Sequence, residues 1–297
     1  MSQLRLTLAH LYADLMNVYA DRGNIICWQR RCAWRGIDLM VRSFGIGEEL
    51  PSEGIDLIFM GGGQDGDQRR LTDDLVRGKG AVLRAAAAAG VPMLVVCGAY
   101  QLFGRSYQPA SGEALPGLGI LDAWTKHPGD DAPRCVGDVV VTWASPPPLR
   151  DFPSPQGARE PGGGAMHLTT LVGFENHGGR TFLGPGAKPL GTVLAGHGNN
   201  TQDGSEGAVV ANVFGTYLHG SLLPKNPHFA DHLLALALAR RYGPERARAA
   251  LVPLDDRAET EAHSAMRDRG APATRRARWR RRAAQYREAW RRFRRGG

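Results

Sequence analysis

The chain has 297 residues, of which 42% are hydrophobic and 22% charged, with four cysteines and a formal net charge of +8. That composition excludes a collagen-like, largely disordered or disulfide-framework protein. No apolar run approaches the ~18 residues of a bilayer span, and MSQLRLTLAH lacks the apolar core of a secretory signal, so a cytoplasmic location is expected.

The charge is unevenly placed. From Glu261 to Gly297 thirteen arginines face three acids, so that segment carries +10 and the preceding 260 residues carry −2. Only Lys79, Lys126, Lys188 and Lys225 are lysines, a skew that codon bias also produces, so arginine content is weak support for nucleic-acid binding. Cys27, Cys32, Cys97 and Cys135 show no zinc-ligand spacing and read as thiols, with Cys27 and Cys32 as packing residues in a helix.

In chain order, Leu4 to His10 alternates as a first strand, and Asn24 caps a helix through Trp34 that closes at Gly36. Ile37–Val41 and Ile55–Met60 are further strands. The second is apolar throughout, as a doubly covered parallel strand is, and it ends in Gly61-Gly62-Gly63. A helix is predicted from about Gln68 to Ala89, then a buried strand Met93–Val96 that turns at Cys97-Gly98-Ala99 into another helix. This alternation predicts an α/β fold with a mostly parallel central sheet.

The second half has predicted strands at Val139–Trp143, Leu168–Phe174 and Val209–Phe214, with a Pro/Gly-rich loop over 145–165. Asn226-Pro227 opens a helix that ends at Tyr242 before Gly243-Pro244. The compact domain is expected over 1–254. Residues 255–297 are read as a linker, polar over 261–274, and an Arg-rich tail.

Ligands of open parallel sheets bind beyond the carboxyl ends of the strands, where both glycine turns fall. A cysteine lifted on a strand-to-helix turn is exposed to amide N–H groups that favour its thiolate and hold an oxyanion. Cys97 also reads as an ordinary buried strand-end cysteine, and Gly61–Gly63, which is no dinucleotide fingerprint, as a tight turn. The base a thiolate needs is best supplied by His219, at a strand end before Gly220; His177 and His197 are rivals in loops.

Five ordered blocks carry a resemblance: LYADLMNVYADRGN, GGGQD at 61–65, VCGAYQLFG at 96–104, GFENHGG at 173–179 and GTYLHGSLLPKNP at 215–227. Together they resemble class I glutamine amidotransferases of the cobyric-acid-synthase-like branch, and within it the glutaminase subunits of lipid II isoglutaminyl synthases. The resemblance spans about residues 4–245. It implies a flavodoxin-like glutaminase with Cys97 as nucleophile, His219 as base, Gly63 and Gly98 as backbone oxyanion donors, and Gln101 and Arg134 in the glutamine site. An arginine fork suits the substrate α-carboxylate; without the resemblance Arg134 reads equally as a surface salt bridge.

The sequence departs from the family pattern at one point. Where class I triads have an acid two residues after the histidine, this chain has Ser221. The resemblance implies that a MurT-like Mur-ligase partner, in a heterodimer, supplies that carboxylate. It implies further that L-glutamine is the ammonia donor, that lipid II is engaged through the partner for peptidoglycan synthesis, and that ATP and Mg²⁺ belong to the partner, with no cofactor or metal in this chain. A cobyric-acid glutaminase and a catalytically silent binding module are the competing functions.

In the tail, Trp279, Ala283, Tyr286, Trp290 and Phe293 fall on one face of a would-be helix. Residues 275–297 thus read as a disordered basic segment, as an amphipathic helix on anionic lipid at the inner membrane face, or as a partner- or nucleic-acid-binding element.

Overall fold

The computed structural model describes residues 3–18, 21–129, 131–143, 168–219 and 221–270. The chain begins with strand β1 (Arg5–Leu11), helix α1 (Arg22–Ala33), β2 (Asp38–Phe44), β3 (Leu57–Met60) and α2 (Asp65–Asp73). A π-helical turn (Asp74–Lys79) joins α2 to α3 (Gly80–Ala88), and β4 (Met93–Val96) and α4 (Gly98–Phe103) follow. Then come β5 (Ser106–Gln108), β6 (Leu115–Pro116), β7 (Ala123–Lys126), β8 (Cys135–Thr142), β9 (Thr170–His177), β10 (Arg180–Leu183), β11 (Gly191–Ala195) and β12 (Ser205–Glu206). The last elements are β13 (Ala208–Val210), β14 (Val213–Thr216), α5 (Leu222–Lys225), α6 (Pro227–Tyr242), α7 (Pro244–Ala250) and α8 (Arg257–Gly270).

The main sheet has six strands in the order β13-β14-β4-β3-β1-β2. All neighbours are parallel except the β13–β14 hairpin. This is the expected α/β architecture. Strands β3 and β4 are buried along their whole length, which explains their unbroken apolar sequences. The order β2-β1-β3-β4 places a topological switch between β1 and β3, because the chain leaves those strands in opposite directions and opens a crevice at their carboxyl ends. Two four-stranded sheets, β10-β7-β5-β6 and β12-β11-β8-β9, are built from the strands between α4 and β13.

Several local expectations change. The helix predicted from Gln68 to Ala89 is broken by the π turn, where Lys79 is 2% exposed. Its ammonium is bonded to Asp74 and lies 5.1 Å from the Tyr12 ring centre, so burying a charged group distorts the helical ladder locally. The single strand predicted at Val209–Phe214 is a hairpin, reversed at Ala211 (φ 50°) with Asn212 anchored to the Gly90 carbonyl at 2.9 Å. Asn24 does not cap α1, which starts at Arg22; its Oδ1 accepts from Leu223 N at 2.9 Å and docks α5. Asn226 caps no helix with its side chain either. It bonds both the N–H and the carbonyl of Val172, stitching α6 to β9.

The folded body continues beyond residue 254. The expected polar linker from 261 is helical as far as Gly270, because Thr260, His263 and Met266, three residues apart, form one buried face. His263 joins Thr170 on β9 at 2.8 Å and the Lys225 carbonyl at 2.8 Å. Just before α8, Asp256 pairs with the buried Arg31 of α1, which also pairs with Asp231 of α6. The Pro/Gly loop over 145–165 and the Arg-rich segment 275–297 lie outside the described residues. Among the described residues, no helix is long and apolar enough to cross a membrane.

Candidate active site

The pairing Thr216↔Val96 sets the carboxyl ends of β14 and β4 side by side, so the residues that follow them emerge at one edge. Cys97 follows β4 directly, with φ 51° and ψ −106°, and its amide donates to the Thr216 carbonyl at 2.8 Å. A non-glycine residue in that region is strained, and the strain turns the side chain away from the sheet as at a nucleophile elbow. Cys97 is 8% exposed and reaches the wall of a cavity of about 620 Å³.

His219 arrives from β14 through Tyr217 and Leu218. Its backbone pairs both ways with Phe174 of β9, the amide donating at 2.7 Å and the carbonyl accepting at 3.3 Å. The GFENH block therefore clamps the histidine. The imidazole is fully buried and lies near enough to Cys97 to feel its charge. Burial alone would favour the neutral ring, but the charge of Cys97 and then the carboxylate of Asp21 outweigh it and raise the His219 pKa well above the ordinary histidine value.

A carboxylate of this chain lies beside His219. Asp21, which precedes α1, is fully buried; its Oδ1 is 3.4 Å from His219 Nδ1, and its Oδ2 accepts from Gly62 N at 2.7 Å. Position 221, where the family pattern has its acid, is turned away: a Cβ on Gly23 would lie 2.1 Å from Ser221 Oγ, so Ser221 is seated on the first turn of α1. Asp21 reaches His219 because β1 and β3 are neighbours, so the loop after β1 packs on the glycine turn after β3. A Cβ on Gly61 would fall 2.5 Å from the Met16 carbonyl, which explains why that turn needs glycine.

The remaining expected residues gather here. A Cβ built on Gly98 would be 3.1 Å from the Gly63 amide nitrogen, so the two glycine backbones approach each other closely. Gly63, Cys97, Gln101 and Arg134 all line the cavity. Gln101 is 4% exposed, accepting from Gln68 at 3.2 Å and donating to the Tyr217 hydroxyl at 3.2 Å. Arg134 pairs with Asn176, through Nε to the side chain (3.1 Å) and Nη2 to the carbonyl (3.3 Å), and among the described residues it has no carboxylate partner.

The rival histidines are otherwise employed. His177 lines the cavity, but its ring stacks on Tyr217 at 3.7 Å and its Nδ1 bonds the Gly179 carbonyl at 2.9 Å. His197 bonds the buried Glu175 at 2.8 Å and closes the loop after β11. Sequence reasoning singled out neither Asp21 nor the pair Asp65 and Tyr107. Asp21 stood within the first resemblance block, and its position immediately before a helix at a strand's carboxyl end was the available signal.

The sequence matches the CobB/CobQ-like glutamine amidotransferase domain over residues 7–227. The chain belongs to that family. The subunit GatD of the glutamine-hydrolysing lipid II isoglutaminyl synthase of Staphylococcus aureus is 36% identical over 264 residues, covering 89% of this chain and 96% of the relative. The Streptococcus pneumoniae subunit of the same name is 36% identical over 80% of this chain and 83% of its own length. A cobyric acid synthase from Pelotomaculum thermopropionicum is 32% identical over 58% of this chain, a match that spans 31% of that longer protein. The parallel sheet with its switch-point crevice is thus the glutaminase scaffold of this amidotransferase family.

Proposed function

We propose that this chain hydrolyses L-glutamine with Cys97 and His219, and that it is the ammonia-supplying subunit of a lipid II isoglutaminyl synthase. The observation that carries the reading is the buried Cys97–His219–Asp21 row at the mouth of the crevice, in a chain that matches two such subunits over most of their length.

The chemistry follows from the geometry. The Cys97 thiolate, paired with the His219 imidazolium, attacks the side-chain amide carbon of glutamine. The N–H groups of Gly63 and Gly98 receive the developing oxyanion. As the tetrahedral intermediate collapses, His219 gives its proton to the departing nitrogen and ammonia leaves. The neutral imidazole then takes a proton from water, which attacks the thioester and releases glutamate. Asp21 holds the ring orientation throughout. The guanidinium of Arg134 binds the α-carboxylate, and Gln101 shapes the pocket.

Ammonia passes to a MurT-like ligase partner, which holds ATP and Mg²⁺ and amidates the α-carboxyl of D-glutamate in lipid II. The match of 89% of this chain to 96% of a GatD subunit, against a match to less than a third of a cobyric acid synthase, favours this acceptor over cobyric acid. The test is Cys97→Ala in the complex. Hydrolysis of glutamine and labelling by a glutamine-like electrophile should both vanish, while amidation driven by added ammonia persists. Retained glutaminase would refute the nucleophile, and loss of ammonia-driven amidation would refute the division of labour.

A further inference from the structure

The cavity beside Cys97 is lined by one carboxylate and one guanidinium, Asp65 and Arg134, among otherwise uncharged groups and two imidazoles. Glutamine carries one ammonium and one carboxylate on its α-carbon. Arg134 accounts for the carboxylate alone, which leaves the ammonium without a counter-charge unless the pocket provides one.

Asp65 is placed for that task. It is the first residue of α2, reached through Gln64, whose backbone is extended (φ −78°, ψ 160°). The hydroxyl of Tyr107, a residue 3% exposed, donates to Asp65 Oδ1 at 2.8 Å. Tyr107 also lies near enough to Cys97 to feel its charge, so the phenol links the carboxylate to the reacting end of the pocket. Burial and then the neighbouring Asp65 keep that phenol protonated, and hence a donor.

Asp65 is half-buried, and no described ion pair involves it. The arginines of its own helix are engaged elsewhere: Arg69 with the Ser111 carbonyl and Arg70 with Asp67. A carboxylate oriented by a buried phenol on one oxygen, open on the other and facing a cavity, is built to accept from a cation.

We propose that Asp65, held by Tyr107, binds the α-ammonium of L-glutamine, so that Asp65 and Arg134 together select an amino-acid zwitterion over a simple amide. This deepens the glutaminase reading and rests on it. An acid in the first turn of a helix also favours that helix electrostatically, so the test must read substrate choice and not folding alone.

The experiment compares hydrolysis of L-glutamine with that of glutaramate, which has the same amide and carboxylate but no α-amino group. In Asp65→Asn, kcat/KM for L-glutamine should fall by about 10- to 100-fold, the worth of one charge-assisted hydrogen bond, while glutaramate stays within about twofold. Tyr107→Phe should shift the same ratio in the same direction by a smaller factor, and it keeps the Asp65 charge on α2 in case Asp65→Asn folds poorly. Equal losses for both substrates in both variants would overturn the proposal. Failure of the unaltered protein to hydrolyse either substrate would instead overturn the glutaminase reading and this proposal with it.

Discussion

His219 and Asp21 are 198 residues apart in the chain and 3.4 Å apart in the fold, both with no solvent exposure. A histidine without the acid of its usual motif, where Ser221 stands instead, has a carboxylate beside it from far away in the sequence. On the proposed reading the Cys97–His219–Asp21 row is complete within one polypeptide, and hydrolysis of glutamine should not wait for a carboxylate from another subunit.

The direct check is Asp21→Asn. An asparagine keeps the shape and loses the charge that orients the ring and stabilises its cationic form. Glutaminase kcat should fall by about 10²-fold or more with KM little changed, and the unaltered chain should turn over glutamine without a partner. The imidazole titration of His219, followed by NMR, should also move to lower pH in the variant. An unchanged titration would show that Asp21 only packs.

Gly62 offers a steric version of the same test. A Cβ there would lie 2.7 Å from His219 Cε1 and 3.4 Å from Asp21 Oδ2, inside any tolerable contact for the ring. Gly62→Ala should displace the imidazole and cost about 10²-fold in activity with far-UV circular dichroism unchanged. Full activity would place the histidine elsewhere.

Stability should hinge on Arg31. Its guanidinium is almost fully buried, bonding Asp256 at 2.5 Å through Nη1 and Asp231 at 2.7 Å through Nε. The pair with Asp256 ties the segment before α8 to α1. Arg31→Ala would strand Asp256, whereas Asp231 keeps Arg35 at 2.7 Å; the cost of the uncompensated buried acid is about 3–5 kcal/mol, measurable by urea unfolding. A loss below 1 kcal/mol would mean that water reaches Asp256.

Glu206 sets a pH dependence. It is completely buried and accepts from the Tyr217 amide at 2.7 Å, in the segment that leads to His219. Burial outweighs these hydrogen bonds and raises its pKa to about 8. A carboxyl raised above its unfolded value stabilises the fold fully below pH 4.5 and loses that contribution as pH rises towards 8. Glu206→Gln, which cannot ionise, should therefore gain in thermal midpoint relative to the unaltered protein as pH increases from 5 to 8.5. A constant difference across that range would show that the acid is already ionised.

Residues near in sequence determined much of this protein. The buried strand ahead of Cys97, the glycine turns, the alternation of strands and helices and the strand-end histidine all follow from local periodicity and turn chemistry, and the structure reproduces them. Local pattern also set the limits. It could not foresee that Asn226 would stitch β9, that Lys79 would draw the helix into a π turn, or that Thr260, His263 and Met266 would find a sheet to cover. Above all, strand order decided that Asp21, and not residue 221, lies beside His219. Putting β1 beside β3 brings the loop before α1 onto the glycine turn and under the imidazole, and adjacency of strands is a property of the whole sheet that no single stretch of residues encodes.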